Sequence, residues 1–158
     1  MGQIIVKVEI EKLVKYGKLG NLYVGISSSE IIDYLGEPYD VDNSTTPVAW
    51  SYEDFYFQIN SDQVMASVEV YISDSANIYG LDSLVNIQID EFYRYIEGIG
   101  VEPEKIKRAQ YSDGEYKVLT FPPITHKDES IYLKITFTDD ILHTISLISG
   151  KLAGQVMN

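Results

Sequence analysis

The chain has only two imidazoles, no thiol, and carboxylates in abundance. His126 sits in Pro122-Pro123-Ile124-Thr125-His126-Lys127-Asp128-Glu129. There one imidazole with the carboxylates of Asp128 and Glu129 would offer a metal-ligating or acid–base group. His143 falls in an alternating apolar run, sharing parity with Ile145 and Leu147, and reads as a strand histidine. A Ser-His-Asp triad needs a nucleophile held on a sharp turn, and no Gly-x-Ser-x-Gly is present. Asp40-x-Asp42-x-Ser44 begins like a calcium loop, but Thr45 stands at its sixth position and Ser51 at its twelfth. The geometry of such a loop demands glycine and glutamate there. With no cysteine, disulfides, thiolate catalysis and Cys-zinc sites are excluded. No catalytic residue, metal or cofactor is therefore assigned, and a small enzyme or metal site at His126, Asp128 and Glu129 stands as an alternative.

Tyrosine is the richer signal: 13 residues, against one Trp and five Phe. Tyr56, Tyr71 and Tyr132 lie on the polar parity of strand-like runs, with Glu69 and Lys134 on the same parity of their own runs. Trp50 and Tyr52 stand in the neighbouring run. Tyrosine and tryptophan give large contact area at low entropy cost, so this set is the candidate partner-binding surface. Glu53, Asp54 and Asp62, in the turns beside it, are expected to add an acidic face.

These side chains need elements to carry them. Val6, Ile10, Leu13 and Val14 recur at helical spacing and predict a helix over 4–17, with alternation over 4–10 as a strand alternative. Ser27-x-x-Glu30 is a capping box, and Gly36 with Pro38 closes a helix over 28–35. Asp40–Pro47 reads as turns. Strands are predicted over 49–52, 55–59 and 64–72. Asp90 reads as the N-cap of another helix carrying Phe92, Tyr95, Ile96 and Ile99, ended by Gly98 and Gly100. Strands follow over 116–121, 131–138 and 141–148, with Asp139-Asp140 as a turn, and residues 100–115 read as an insertion. Helix-then-hairpin patterns recur over about 21–75 and 88–150. The expected fold class is α+β: one domain over 1–158, an antiparallel sheet with short helices on one face, built as a tandem pseudo-repeat of helix and hairpin units.

The charge is uneven. Of a net −12, residues 1–18 carry +2, residues 19–93 carry −13 with no lysine or arginine, and residues 94–158 carry −1. Such an acidic surface repels nucleic acid and anionic lipid, so neither is an expected direct partner; a basic protein is. No apolar run reaches membrane-helix length, and charges interrupt any secretory signal near the start. With the missing cysteine, this predicts a cytoplasmic protein, monomer or homodimer.

Gly25-Ile26-Ser27, Glu30-Ile31-Ile32, Leu35-Gly36-Glu37-Pro38, Trp50-Ser51-Tyr52 and Phe55-Tyr56-Phe57 together resemble the opening of many small bacterial proteins. The pattern is similar to the helix-plus-sheet unit of the outer-membrane assembly lipoprotein BamE and of beta-lactamase inhibitory proteins, the latter built as a tandem repeat. Small bacterial immunity proteins look similar too. The likeness spans roughly residues 25–60 and lacks the lipobox cysteine and disulfide of the secreted relatives. It implies a non-catalytic binding role, such as an immunity or inhibitor protein for a basic partner like a toxin nuclease. An acidic DNA mimic is a further alternative.

Overall fold

A computed structural model describes residues 2–72, 81–126 and 129–152. The first element, α1 (Gly2–Tyr16), is a helix and not a strand: Ile10, Leu13 and Val14 are buried together on one stripe. Lys15 reaches back to Glu11 at 3.4 Å on the exposed side. Helix α2 (Ser28–Leu35) starts where the side-chain oxygen of Ser27 accepts the Glu30 N–H at 3.2 Å. It ends at Gly36, whose φ of 79° suits a residue without Cβ. Helix α3 (Ile89–Gly98) begins two residues earlier than its sequence suggests: Gln88 and not Asp90 occupies the cap, and Asp90 and Glu91 lie in the first turn. The reason is tertiary. Residues 87–89 are tied to the end of the sheet by Leu142 N–H to Ile87 and Ile89 N–H to Asp140, both 2.8 Å, and this sets where the helix starts.

Among the described residues, nine strands form one antiparallel sheet: β1 (Asp40–Asp42), β2 (Val48–Ser51), β3 (Phe55–Ile59), β4 (Met65–Tyr71), β5 (Lys105–Tyr111), β6 (Gly114–Thr120), β7 (Ile124–His126), β8 (Glu129–Thr138) and β9 (Ile141–Ser149). Their order is β1-β2-β3-β4-β9-β8-β6-β5, with β7 beside β8. The molecule is thus α+β, a mainly antiparallel sheet with a few short helices. Three strands lie where the sequence predicts none, and one of them, β7, forms over Ile124–His126 in a stretch that reads as a loop. The 100–115 insertion contains β5, and the Asp40–Pro47 turn region contains β1. Both are edge strands, short or mostly exposed, so neither carries the alternating burial that marks the central strands.

One face of the sheet is packed. Phe55, Phe57 and Ile59, Val68 and Val70, Leu133, Ile135 and Phe137, and Ile145 and Leu147 join the buried helix residues in one core. Phe92 of α3 contacts Phe137 at 5.4 Å and Phe121 at 6.3 Å between ring centroids. The β8–β9 turn places Asp139 and Asp140 at φ 50° and 67°, the left-handed pair a two-residue hairpin turn requires. No described helix is long and apolar enough to cross a membrane.

Candidate functional site

Register decides which side chains share the other face. Reading across the sheet, one row runs Asp40, Ser51, Tyr56, Glu69, Ser146, Lys134, Thr120, Lys105. The next contains Gln58, Ser67, Ile148 and Tyr132, and on the other side lie Tyr71, Thr144, Thr136, Val118 and Lys107. None of these residues belongs to the hydrophobic core. Tyr56 and Tyr71 keep 43 % and 45 % of their surface, and Tyr132 and Lys134 are exposed as well. Seven steps of about 4.8 Å make this face roughly 34 Å wide.

Five of the seven sequence-predicted contact residues come together here: Tyr56, Glu69, Tyr71, Tyr132 and Lys134. Trp50 and Tyr52 do not. Trp50 is in register with Phe57 on the packed side, where it is half-buried. Tyr52 is buried edge-on to Phe57 at 5.6 Å, and its hydroxyl donates to the Gly36 carbonyl at 2.7 Å. Trp50 and Tyr52, the latter just past the end of β2, share a parity with the core, so their aromatic character served packing and the anchoring of α2. The acidic set also divides. Glu53 and Asp54 occupy the β2–β3 turn, whereas exposed Asp62 lies in the β3–β4 turn, at the far end of a five-residue strand about 16 Å long.

The face has a part that sequence reasoning missed. Tyr71, His143, Tyr116 and Tyr111 form a row of rings from β4 through β9 and β6 to β5, with successive centroids 5.8, 6.3 and 5.3 Å apart. His143 joins because the β8–β9 register shifts beside it: Thr136 pairs with Thr144 but Phe137 with Leu142. Its Nδ1 lies 2.9 Å from the Thr138 hydroxyl, which fixes the ring. Tyr116 donates to Asp113 at 2.8 Å. Alternation set His143 on the core side with Ile145 and Leu147; the bulge that turns it instead toward Tyr71 and Tyr116 left no signal in the sequence.

Electrostatics follow the topology. Hydrogen bonding and charge from Glu69 hold the proton on Tyr71 and raise its pKa, and Asp113 does the same, by a hydrogen bond, for Tyr116. Both phenols remain neutral donors at physiological pH. Carboxylates Asp40, Asp42 and Glu69 occupy the β1–β4 half of the face, and Lys105, Lys107 and Lys134 the other half.

On the helix side, an open groove of about 650 Å³ is lined by Tyr93, Ile96, Val101, Pro103 and Pro122, with Glu97 and Glu102 also at its wall. Its polar groups do not converge as a small-molecule site requires. Of the His126, Asp128 and Glu129 alternative, Asp128 and the His126 side chain lie outside the described residues. Glu129 is opposite His126 in the β7–β8 register. Among the described residues, no group of three or more His, Asp or Glu side chains is placed to hold a metal ion. Comparison of the chain with protein-family models, curated proteins and solved structures gives no match to any of them.

Proposed function

We propose that the protein is a non-catalytic binding module that holds a basic protein partner on the open face of its sheet. The observation that carries this reading is a face that no described element covers: exposed Tyr56, Tyr71 and Tyr132 beside Glu69, with the helix core on the other side. The width of about 34 Å, with strands of about 20 Å, offers roughly 700 Å². That is close to the roughly 800 Å² each partner contributes to a standard interface. The partner's cationic surface would rest on the β1–β4 half, where Asp40, Asp42 and Glu69 face it. A cytoplasmic immunity or inhibitor protein acting on a toxin nuclease fits this chemistry, because a nuclease site must be cationic to hold phosphate. The DNA-mimic alternative is less well supported, since it needs a continuous acidic surface and this face turns basic at β8 and β5.

The strand order also supports a tandem pseudo-repeat. Helix α2 precedes β1–β4, helix α3 precedes β5–β9, and the last strands of the two halves, β4 and β9, pair at the centre. Each half alone would expose the edge that the other covers.

The test is affinity capture from a bacterial lysate at physiological salt, repeated with Tyr71→Ala and Glu69→Lys. A basic protein retained by the wild type and lost by both variants supports the reading. A partner held equally by both variants rejects the sheet face as the site.

A further inference from the structure

The geometry points to a second docking surface, along the edges of the sheet and sharing Asp40 and Asp42 with the open face: the β5 edge of one molecule receives the β1 edge of another copy, extending the sheet. Both strands are edges, β1 ending the strand order on one side and β5 on the other. Their sequences are Asp40-Val41-Asp42 and Lys105-Ile106-Lys107, the same charged-apolar-charged pattern with opposite sign.

Three conditions must hold for one edge to receive the other, and each can be read from the fold. The first is direction. Eight strands lie along the sheet and every neighbouring pair is antiparallel, so β1 and β5 run oppositely. A copy placed alongside, with its open face on the same side, presents β1 antiparallel to β5. The second is side. Asp40 and Asp42 share the open face with Lys105 and Lys107, whereas Val41 and Ile106 point to the helix side. Pairing Val41 with Ile106 therefore sets Asp40 opposite Lys107, Asp42 opposite Lys105, and Tyr39 opposite Arg108. The third is backbone polarity. The Tyr52 N–H bonds Phe55, so Tyr52 and Trp50 turn their backbone to β3, Ser51 and Ala49 turn theirs to β1, and Val41 is left facing outward. The Phe121 N–H bonds Leu133, so Thr120 and Val118 face β5, and Ile106 is left facing outward. Val41 and Ile106 can thus exchange two hydrogen bonds. The flanking Asp–Lys pairs take the non-hydrogen-bonded positions, where side chains come closest.

The exposed surface matches. Tyr39 keeps 77 % of its area, Val41 41 % and Ile106 43 %, and the pairing would cover all three. Among the described residues, Lys105, Lys107 and Arg108 are in no ion pair. Like edges cannot substitute, because β5 on β5 sets lysine against lysine and β1 on β1 aspartate against aspartate. The contact is head-to-tail. With sheet twist accumulating from copy to copy, it generates an open helical row, not a closed pair. The three-residue length of β1 makes it weak and concentration-dependent.

Sedimentation equilibrium near physiological ionic strength tests this. Repulsion between bodies of charge −12 is there screened beyond about 8 Å, while contacting edge pairs are not. Average mass should rise with concentration past that of a dimer. The variants Lys105→Glu with Lys107→Glu, and Asp40→Lys with Asp42→Lys, should each weaken association about tenfold, as the loss of two cross-strand charge pairs implies. Equal mixing of the two should restore it, because every mixed contact again joins opposite charges. Melting temperatures of the variants verify that they remain folded. A mass that stays monomeric at all concentrations, stops at dimer, or is unmoved by the charge variants overturns the proposal, as does failure of the mixture to associate.

Discussion

At the scale of single residues, Tyr52 and Tyr71 show how one amino acid serves opposite ends. Tyr52 is buried with its hydroxyl donating to the carbonyl of Gly36, the residue that caps α2. Tyr52→Phe removes the donor to that carbonyl, and should cost about 1 kcal/mol, read as a lower denaturant midpoint at unchanged slope. Tyr71 instead stands exposed beside Glu69, which raises its pKa. In Glu69→Gln the Tyr71 phenol should ionise at lower pH than in the wild type. Absorbance titration, with Tyr71→Phe as the reference, measures the change, and an unmoved titration would show that Glu69 is not the cause.

At the scale of elements, caps and turns hold the sheet in register. Ser27 begins α2 by accepting the Glu30 N–H, so Ser27→Ala should destabilise by about 1 kcal/mol in thermal or chemical unfolding. Gly114 opens β6 at φ 149°, and a Cβ there would lie 2.9 Å from the Asp139 carboxylate, which accepts the Glu115 N–H from the neighbouring turn. Gly114→Ala should therefore cost about 1 kcal/mol or more, since a strained φ and a displaced acceptor add. At the centre, Leu133 on β8 is fully buried, and Leu133→Ala should cost about 2–5 kcal/mol. Equal stability of the Leu133 variant would place the core elsewhere.

At the scale of the whole molecule, stability should fall in alkali. Tyr71, Tyr93, Tyr95, Tyr116 and Lys117 all have raised pKa values. Burial leads for Tyr93 and Tyr95, whereas carboxylate partners lead for Tyr71, Tyr116 and Lys117. A group whose folded pKa is raised keeps its proton longer in the folded state. Its contribution is complete below the unfolded value, about 10 for these groups, and is lost as pH climbs through the folded value. The melting temperature should therefore decline above about pH 10. Asp42 behaves inversely: Ser44 lowers its pKa, so its contribution holds above the usual carboxylate value and fades as acid protonates it. A melting temperature that is flat above pH 10 would show that these groups are equally protonated in the unfolded chain.

Much of the fold was legible in short-range pattern. The stripe of Ile10, Leu13 and Val14, the Ser27–Glu30 cap with Gly36, the alternation of β3, β4, β8 and β9, and the Asp139-Asp140 turn are all local, and each formed where its spacing put it. Parity also placed Tyr56, Glu69, Tyr71, Tyr132 and Lys134 on the polar side of their strands. Strand order was not legible, because nothing local says that β4 pairs with β9. That pairing gathers five residues from β3, β4 and β8 onto one face, and turns a charge imbalance along the chain into an acidic and a basic half. Nor could alternation within one run distinguish Trp50 and Tyr52 from true surface aromatics, since an aromatic fits either side and only the neighbouring register with Phe57 decides. The edge strands β1 and β5 were unreadable for the same physical reason. Half of an edge strand's hydrogen bonds and most of its side chains face solvent, so no burial constrains its sequence, and only the sheet it borders makes it a strand.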